Sequence, residues 1–296
     1  MGSVRRWLAS ITFVLVAVAG FGTQGSPPAA GEQGPTDSRP YGLKVPEGYD
    51  GSRAVPLVVL LHGYSSSGPA QNAYFRLSAQ ADRGMFLLAY PNGTRDLVGN
   101  RFWNATDACC DFYGRGVEDV AYLDAVLDEI AARYRVDGSR VYLVGHSNGA
   151  FMAHRYACDR SARVAAIVTL AGMQWKDPGR CGASSPVSVL HVHGREDGTI
   201  RYQGGSTPKG PYPGAVETAA TWAGKNGCSG ALAPTDRRLD LDSTVTGAET
   251  TVDRYGGCAG VDVELWTIVD GRHIPAFNES WAPAIWEFMA AHPKAG

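Results

Sequence analysis

The chain of 296 residues contains no basic block, no paired C-x-x-C units and no internal repeat. After its amino terminus it has no stretch approaching about 18 uninterrupted apolar residues. Each absence removes a class of function. Without clustered lysine and arginine, and with a formal charge of −2, the protein offers no electrostatic footprint for nucleic acid. Cysteines at 109, 110, 158, 181, 228 and 258 do not follow the spacing of a zinc framework, so no metal is expected. The lack of a later apolar run argues against a membrane span in the body of the chain. With no repeat and no change of composition after residue 40, a single domain with one sizeable core is the simplest expectation.

What is present begins with MGSVRRWLASITFVLVAVAG: two arginines, an apolar run, then Ala17, Val18 and Ala19 in the small-x-small pattern of a cleavage site. Residues 1–19 are therefore expected to be an export signal. The run is too short and too close to that site for a good span, and no cysteine stands nearby to carry a lipid. Losing Arg5 and Arg6 from 27 basic residues leaves 25 against 29 acidic ones, a charge of −4. Residues 20–38 are dense in Gly, Pro and Ser and lack apolar periodicity, as a disordered leader would. The domain is expected over 39–296. All six cysteines fall in the exported part, and their even number suggests disulfides, with the pairing left open by the sequence.

From residue 39 short apolar runs alternate with amphipathic segments. Strands are predicted over 55–63, 85–91, 140–145, 164–172, 186–194 and 261–270. Helices are predicted near 70–83, 118–134, from Ser147, and near 215–226 and 279–291. This alternation implies a mostly parallel sheet with helices on both faces. Val120, Leu123, Leu127 and Ile130 form the apolar stripe of the second helix. Glu118 and Asp119 stand at its start, where carboxylates suit the exposed amides and the helix dipole.

The segment VYLVGHSNGAFMAHRYAC contains G-x-S-x-G, a pattern too common to decide anything alone. Its context carries more weight. With RVYLVG a strand and the residues after Ser147 a helix, Ser147 occupies a sharp strand-to-helix turn, with Gly145 and Gly149 leaving room for the backbone. A serine hydroxyl attacks only when a base takes its proton, and the base needs an acid to hold it. On such a sheet the acid and base follow the serine in later loops. Glu196 and Asp197 lie just beyond one strand. His273 lies just beyond the last one. His62, His146, His154, His191, His193 and His292 fail on order or position. Asp197 is favoured over Glu196 by its shorter side chain and following glycine. The amides of Tyr64, after the LHG turn, and of Asn148 suit the two donors an oxyanion needs.

At this point the chain resembles the secreted PHB-depolymerase and feruloyl-esterase family of α/β-hydrolases. The matching pieces are PLVVLLHG, WNATDACCDF, VEDVAYL, GHSNGAFMAHRYAC, PVSVLHVHGREDGTIRYQGG, ETAATWAGKNGC and GRHIP, which span about residues 41–290. The resemblance implies an α/β-hydrolase fold and a triad of Ser147, Asp197 and His273, with Tyr64 and Asn148 as oxyanion donors. It implies no cofactor. Its substrates would be feruloyl, short-chain acyl or polyhydroxyalkanoate esters, whether small molecules or polymers. Members commonly carry Trp-Pro one residue beyond the histidine, whereas here Ile274 and Pro275 follow His273 directly, which touches the substrate pocket rather than the base.

Within that frame Cys158, at the far end of the helix after Ser147, is within reach of Cys181 on the return path. Cys228 and Cys258 flank the excursion before the last strand, and Cys109 and Cys110 remain as a vicinal pair. Trp103, Trp175 and Tyr202 lie in loops at the carboxyl ends of strands and are candidate substrate contacts. The expectation is a secreted serine esterase. Its rivals are a secreted serine peptidase on the same fold and a non-catalytic polymer or cell-wall binding protein.

Overall fold

The computed structural model describes residue 36, residues 38–258 and residues 260–294. The expected signal with its Ala17-Val18-Ala19 site lies outside them, as does all of the expected leader but Thr36 and Ser38.

The strands, in chain order, are β1 (Gly42–Lys44), β2 (Val55–Leu61), β3 (Leu87–Tyr90), β4 (Thr94–Arg95), β5 (Arg101–Phe102), β6 (Val136–His146), β7 (Ala166–Leu170), β8 (Ser188–Gly194), β9 (Gly205–Thr207), β10 (Gly210–Tyr212), β11 (Leu232–Leu239), β12 (Thr250–Tyr255) and β13 (Val263–Ile268). Nine of them form one sheet in the order β1-β3-β2-β6-β7-β8-β13-β12-β11. The run from β3 to β13 is parallel. Antiparallel strands close both edges.

The helices are α1 (Gly68–Phe75), α2 (Leu77–Gly84), α3 (Asp119–Arg133), α4 (Asn148–Asp159), α5 (Ala215–Lys225) and α6 (Trp281–Ala291). Alternate residues of the central strands feed two separate cores. Leu57, Val59 and Leu61 pack with Leu123 and Ile130 of α3, Phe151 and Tyr156 of α4 and Trp222 of α5. Val58 and Leu60 pack with Phe75 of α1, Ala81 of α2, and Trp281 and Ile285 of α6. A strand buried on both faces must be apolar at every position, which is why VPLVVLL is a continuous apolar run.

Three features differ from the sequence expectation. The predicted helix 70–83 is two helices, broken at Arg76, whose φ of 56° lies in the left-handed region that ends a helix. The edge strand β11 and its neighbour β12 lie outside the predicted strands; LAPTDRRL of β11 contains Pro234, Asp236 and two arginines and is mostly exposed. Such residues suit an edge and read as loop. Asp119 does more than complement a helix end. It is fully buried, pairs with Arg39 at 2.7 Å and accepts the amide of Asn104 at 2.7 Å. Burial pushes its carboxyl up from the ordinary value, against the pull of Arg39. Arg39 also lies 3.7 Å from the Tyr122 ring centroid, so the start of the domain is pinned to α3 by one guanidinium.

The six cysteines form three disulfides, Cys109–Cys110, Cys158–Cys181 and Cys228–Cys258, in the expected pairs. Among the described residues no helix is long and apolar enough to cross a membrane.

Candidate active site

β6 ends at His146 and α4 begins at Asn148, so a single residue, Ser147, makes the turn. Its φ of 53° and ψ of −121° are strained for a residue with a side chain. The strain is held by its own amide donating to Leu170 at 2.8 Å and by the amides of Ala150 and Phe151 closing on its carbonyl. The flanking glycines are required by space. A Cβ on Gly145 would stand 2.3 Å from the Gly149 carbonyl oxygen, and one on Gly149 would stand 2.1 Å from that of Leu61.

β8 and β13 are parallel neighbours, and the loops after them meet. A Cβ on Gly194 would lie 2.3 Å from the Gly271 carbonyl oxygen, and the Glu196 amide donates to that same oxygen at 3.0 Å. This close approach brings Asp197 and His273 together. His273 Nδ1 donates to Asp197 Oδ2 at 2.8 Å. Its Nε2 lies 3.0 Å from Ser147 Oγ. Asp197 is buried and bonded to His273, while Glu196 is exposed. Asp197 Oδ1 accepts the amides of Thr199 and Ile200 at 2.8 and 2.9 Å. Burial alone would raise its carboxyl, but the two histidines beside it, His193 and His273, hold it below the ordinary carboxylate range.

Asn148 is the first residue of α4, so its amide has no acceptor within the helix. The Tyr64 amide belongs to the peptide after Gly63, and a Cβ on Gly63 would touch Ser147 Cβ at 3.4 Å. Both donors therefore stand beside the serine. Each is braced from behind. His62 Nδ1 donates to the Gly63 carbonyl at 2.8 Å, which fixes the plane of the Gly63–Tyr64 peptide. His62 Nε2 accepts the Gly93 amide at 2.9 Å. The Asn148 side chain exchanges two hydrogen bonds with the Trp103 backbone, at 2.7 and 2.9 Å.

The structure places the three aromatic candidates away from open solvent. Trp103 is completely buried. Its indole donates to the His62 carbonyl at 3.0 Å, so it braces the site from within rather than lining it. Tyr202 is 9% exposed; its hydroxyl pairs with Thr267 at 2.9 Å and its ring edge meets His193 at 5.7 Å. Trp175 is nearly buried and lines a polar cavity of about 560 Å³ with Asn104, Arg155, Arg180 and Lys209. The exposed apolar side chain next to the base is Ile274, at the position where the sequence departs from its family pattern.

The histidines at 62, 146 and 193, which fail as bases on order or position, bond to groups around the site instead, and no spacing along the chain marks those partners. His146 Nε2 donates to the His273 carbonyl at 3.0 Å, fixing the loop that carries the base. Among the described residues no group of three or more His, Cys, Asp or Glu side chains is arranged to hold a metal ion.

Burial lowers His62 and His146 to about 4 and His154 to about 3, and takes His191 well below its ordinary value. An unfolded chain protonates these rings near 6.5, whereas the folded protein resists until much lower pH. Folding stability should therefore fall as pH drops from about 6.5 towards 4, by up to about 1.4 kcal/mol per pH unit for each ring. Thermal unfolding at pH 7.5, 6 and 5 should show a steady loss of Tm; a flat Tm down to pH 5 would contradict the assignment of these rings as buried and neutral.

A parallel sheet wrapped by helices, with a serine on the turn after one central strand and an acid and a histidine after later ones, is the α/β-hydrolase architecture. The family model described as "Esterase PHB depolymerase" matches residues 39–214, more than half the chain. The protein belongs to this family of carboxylic-ester hydrolases. Similar curated proteins include feruloyl esterase C of Emericella nidulans, 29% identical over 265 residues and covering 86% of this chain and 85% of the relative. Another is a probable feruloyl esterase C of Aspergillus niger, 28% identical with the same coverage. Among solved structures, an acetyl xylan esterase from Aspergillus awamori superposes with a TM-score of 0.61 at 15% identity, covering 85% of this chain and 93% of that one, a likeness of fold.

Proposed function

We propose that the protein is a secreted serine esterase working through an acyl-enzyme. The observation that carries this reading is the continuous bonding from Ser147 Oγ through His273 to Asp197, at 3.0 and 2.8 Å. His273 Nε2 takes the hydroxyl proton as Ser147 Oγ bonds to the ester carbonyl carbon. The carbonyl oxygen becomes an anion between the amides of Tyr64 and Asn148. Collapse breaks the bond to the alcohol oxygen, which leaves with the proton from His273. Water then repeats the sequence on the acyl-enzyme, releasing a carboxylic acid and restoring Ser147. Asp197, held ionised, fixes the imidazole tautomer and stabilises the imidazolium.

Export is supported by the signal pattern at 1–19 and by three disulfides, which persist in oxidising compartments. The relatives support feruloyl, short-chain acyl or polyhydroxyalkanoate esters as substrates. Initial rates on methyl ferulate, p-nitrophenyl acetate, tributyrin and a hydroxybutyrate polymer, with matched p-nitroanilides beside them, test the reading. Hydrolysis of at least one ester, with the anilides slower by orders of magnitude, is expected. Comparable amide turnover would favour a peptidase, and no turnover of any ester would reject the reading.

A further inference from the structure

Behind Asp197, on the side away from His273, lies a row of polar side chains that the reaction as written does not use. Thr169, His191 and His193 are all fully buried on β7 and β8. Thr169 Oγ1 lies 2.9 Å from His191 Nδ1. His191 Nε2 lies 3.3 Å from His193 Nδ1. His193 Nε2 lies 2.7 Å from the Ile200 carbonyl and 3.3 Å from Asp197 Oδ2.

The partners fix the direction of the final bond. A carbonyl only accepts, so His193 Nε2 carries a hydrogen; it is donated to Ile200, and the N–H stands beside Asp197 Oδ2 at 3.3 Å. The Ile200 amide in turn donates to Asp197 Oδ1. His193 is thus tied to Asp197 through both groups of Ile200, with its Nε2 in electrostatic contact with Oδ2. Asp197 Oδ2 is approached by both imidazoles, His273 Nδ1 at 2.8 Å and His193 Nε2 at 3.3 Å. Two buried imidazoles on a strand that could have been valine cost desolvation. Their satisfied bonding and their aim at one carboxylate give that cost a purpose.

We propose that His193 is a positioning residue for ester hydrolysis: its Nε2 hydrogen locks the Asp197 carboxylate plane and draws charge from Oδ2, while His191 and Thr169 hold its ring in place. This inference rests on the serine-esterase reading. Without the His193 hydrogen, Oδ2 turns more freely about the Cβ–Cγ bond, and the charge left on it holds the His273 imidazolium more strongly. The base then loses its proton at higher pH. The groups facing this row are His154 beside His191 at 5.8 Å, Tyr202 beside His193, Arg195 over the Tyr202 ring at 5.5 Å, Asp253 acting on Tyr202, and His146 beside His273 at 5.2 Å. None of these donates a hydrogen bond to the Asp197 side chain, whose donors are Thr199, Ile200 and His273.

The test compares His193→Gln, whose amide nitrogen can occupy the Nε2 position, with His193→Asn, whose amide reaches only the Nδ1 position. Both are assayed in the whole protein for kcat, KM and the pH profile of kcat/KM on p-nitrophenyl acetate, beside Ser147→Ala. We expect His193→Gln to stay within about threefold of the parent with an unmoved acid limb. For His193→Asn we expect kcat to fall about 10-fold or more, the scale of a hydrogen bond to a charged group. Its acid limb should move to higher pH by roughly half a unit to one unit, with KM little changed. Equal losses in the two variants, or a folded His193→Asn with parental kcat and acid limb, would overturn the proposal. Activity surviving in Ser147→Ala would instead overturn the esterase reading on which it rests.

Discussion

Ser147→Ala is expected to lower kcat/KM on p-nitrophenyl acetate by at least about 10⁴-fold, the loss seen when a nucleophile is removed and only binding and oxyanion stabilisation remain. The fold should be untouched. Alanine keeps the Cβ and the backbone, so the turn retains its φ of 53° with its own amide donating to the Leu170 carbonyl and its carbonyl accepting from Ala150 and Phe151. A Tm within about 2 °C of the parent is the expected companion result, since a small substitution at a half-exposed position seldom costs more than about 0.5 kcal/mol. A large fall in both quantities would assign Ser147 a structural role instead.

Asp197→Asn should cost about as much, roughly 10⁴-fold in kcat, for a different reason. Oδ1 of Asp197 accepts two backbone amides, from Thr199 and Ile200. The asparagine oxygen must take that place, which turns its amide nitrogen towards His273 Nδ1. A donor there forces the imidazole to present its Nδ1 lone pair and carry its proton on Nε2. In that tautomer it cannot accept the Ser147 proton. The same amide nitrogen also confronts the donating Nε2 of His193, so this variant, unlike Ser147→Ala, should lose Tm as well. Measuring kcat with Tm separates the two: a normal Tm with normal kcat would mean that Asp197 does not orient the base.

The two variants together show why part of this protein was legible in its sequence. Parallel strands buried on both faces are mostly apolar, so VPLVVLL announced itself, and the alternation of such runs with amphipathic segments gave the parallel sheet. The edge strand LAPTDRRL carried no such signature, because one side of an edge meets water. The break at Arg76 is held by a single residue at positive φ with no glycine to mark it.

At the candidate site, the three residues that the fold brings within hydrogen-bond distance, Ser147, His273 and Asp197, could be proposed from the sequence, and the side chains around them could not. His62, His146 and His193 act through backbone carbonyls or through a carboxylate brought close by folding, and no spacing along the chain encodes such partners. Trp103 illustrates the converse error. A tryptophan in a loop at the carboxyl edge invites a substrate, yet its indole bonds to the His62 carbonyl and its backbone to the Asn148 side chain.

The central claim is that Ser147 forms a covalent acyl-enzyme with His273 as its base. It is tested most directly by reacting the protein with a fluorophosphonate and mapping the adduct by mass spectrometry. One equivalent should be incorporated, on the peptide containing Ser147, with loss of esterase activity in step, and His273→Ala should label far more slowly. An adduct on another residue, or full inactivation with Ser147 unmodified, would contradict the account.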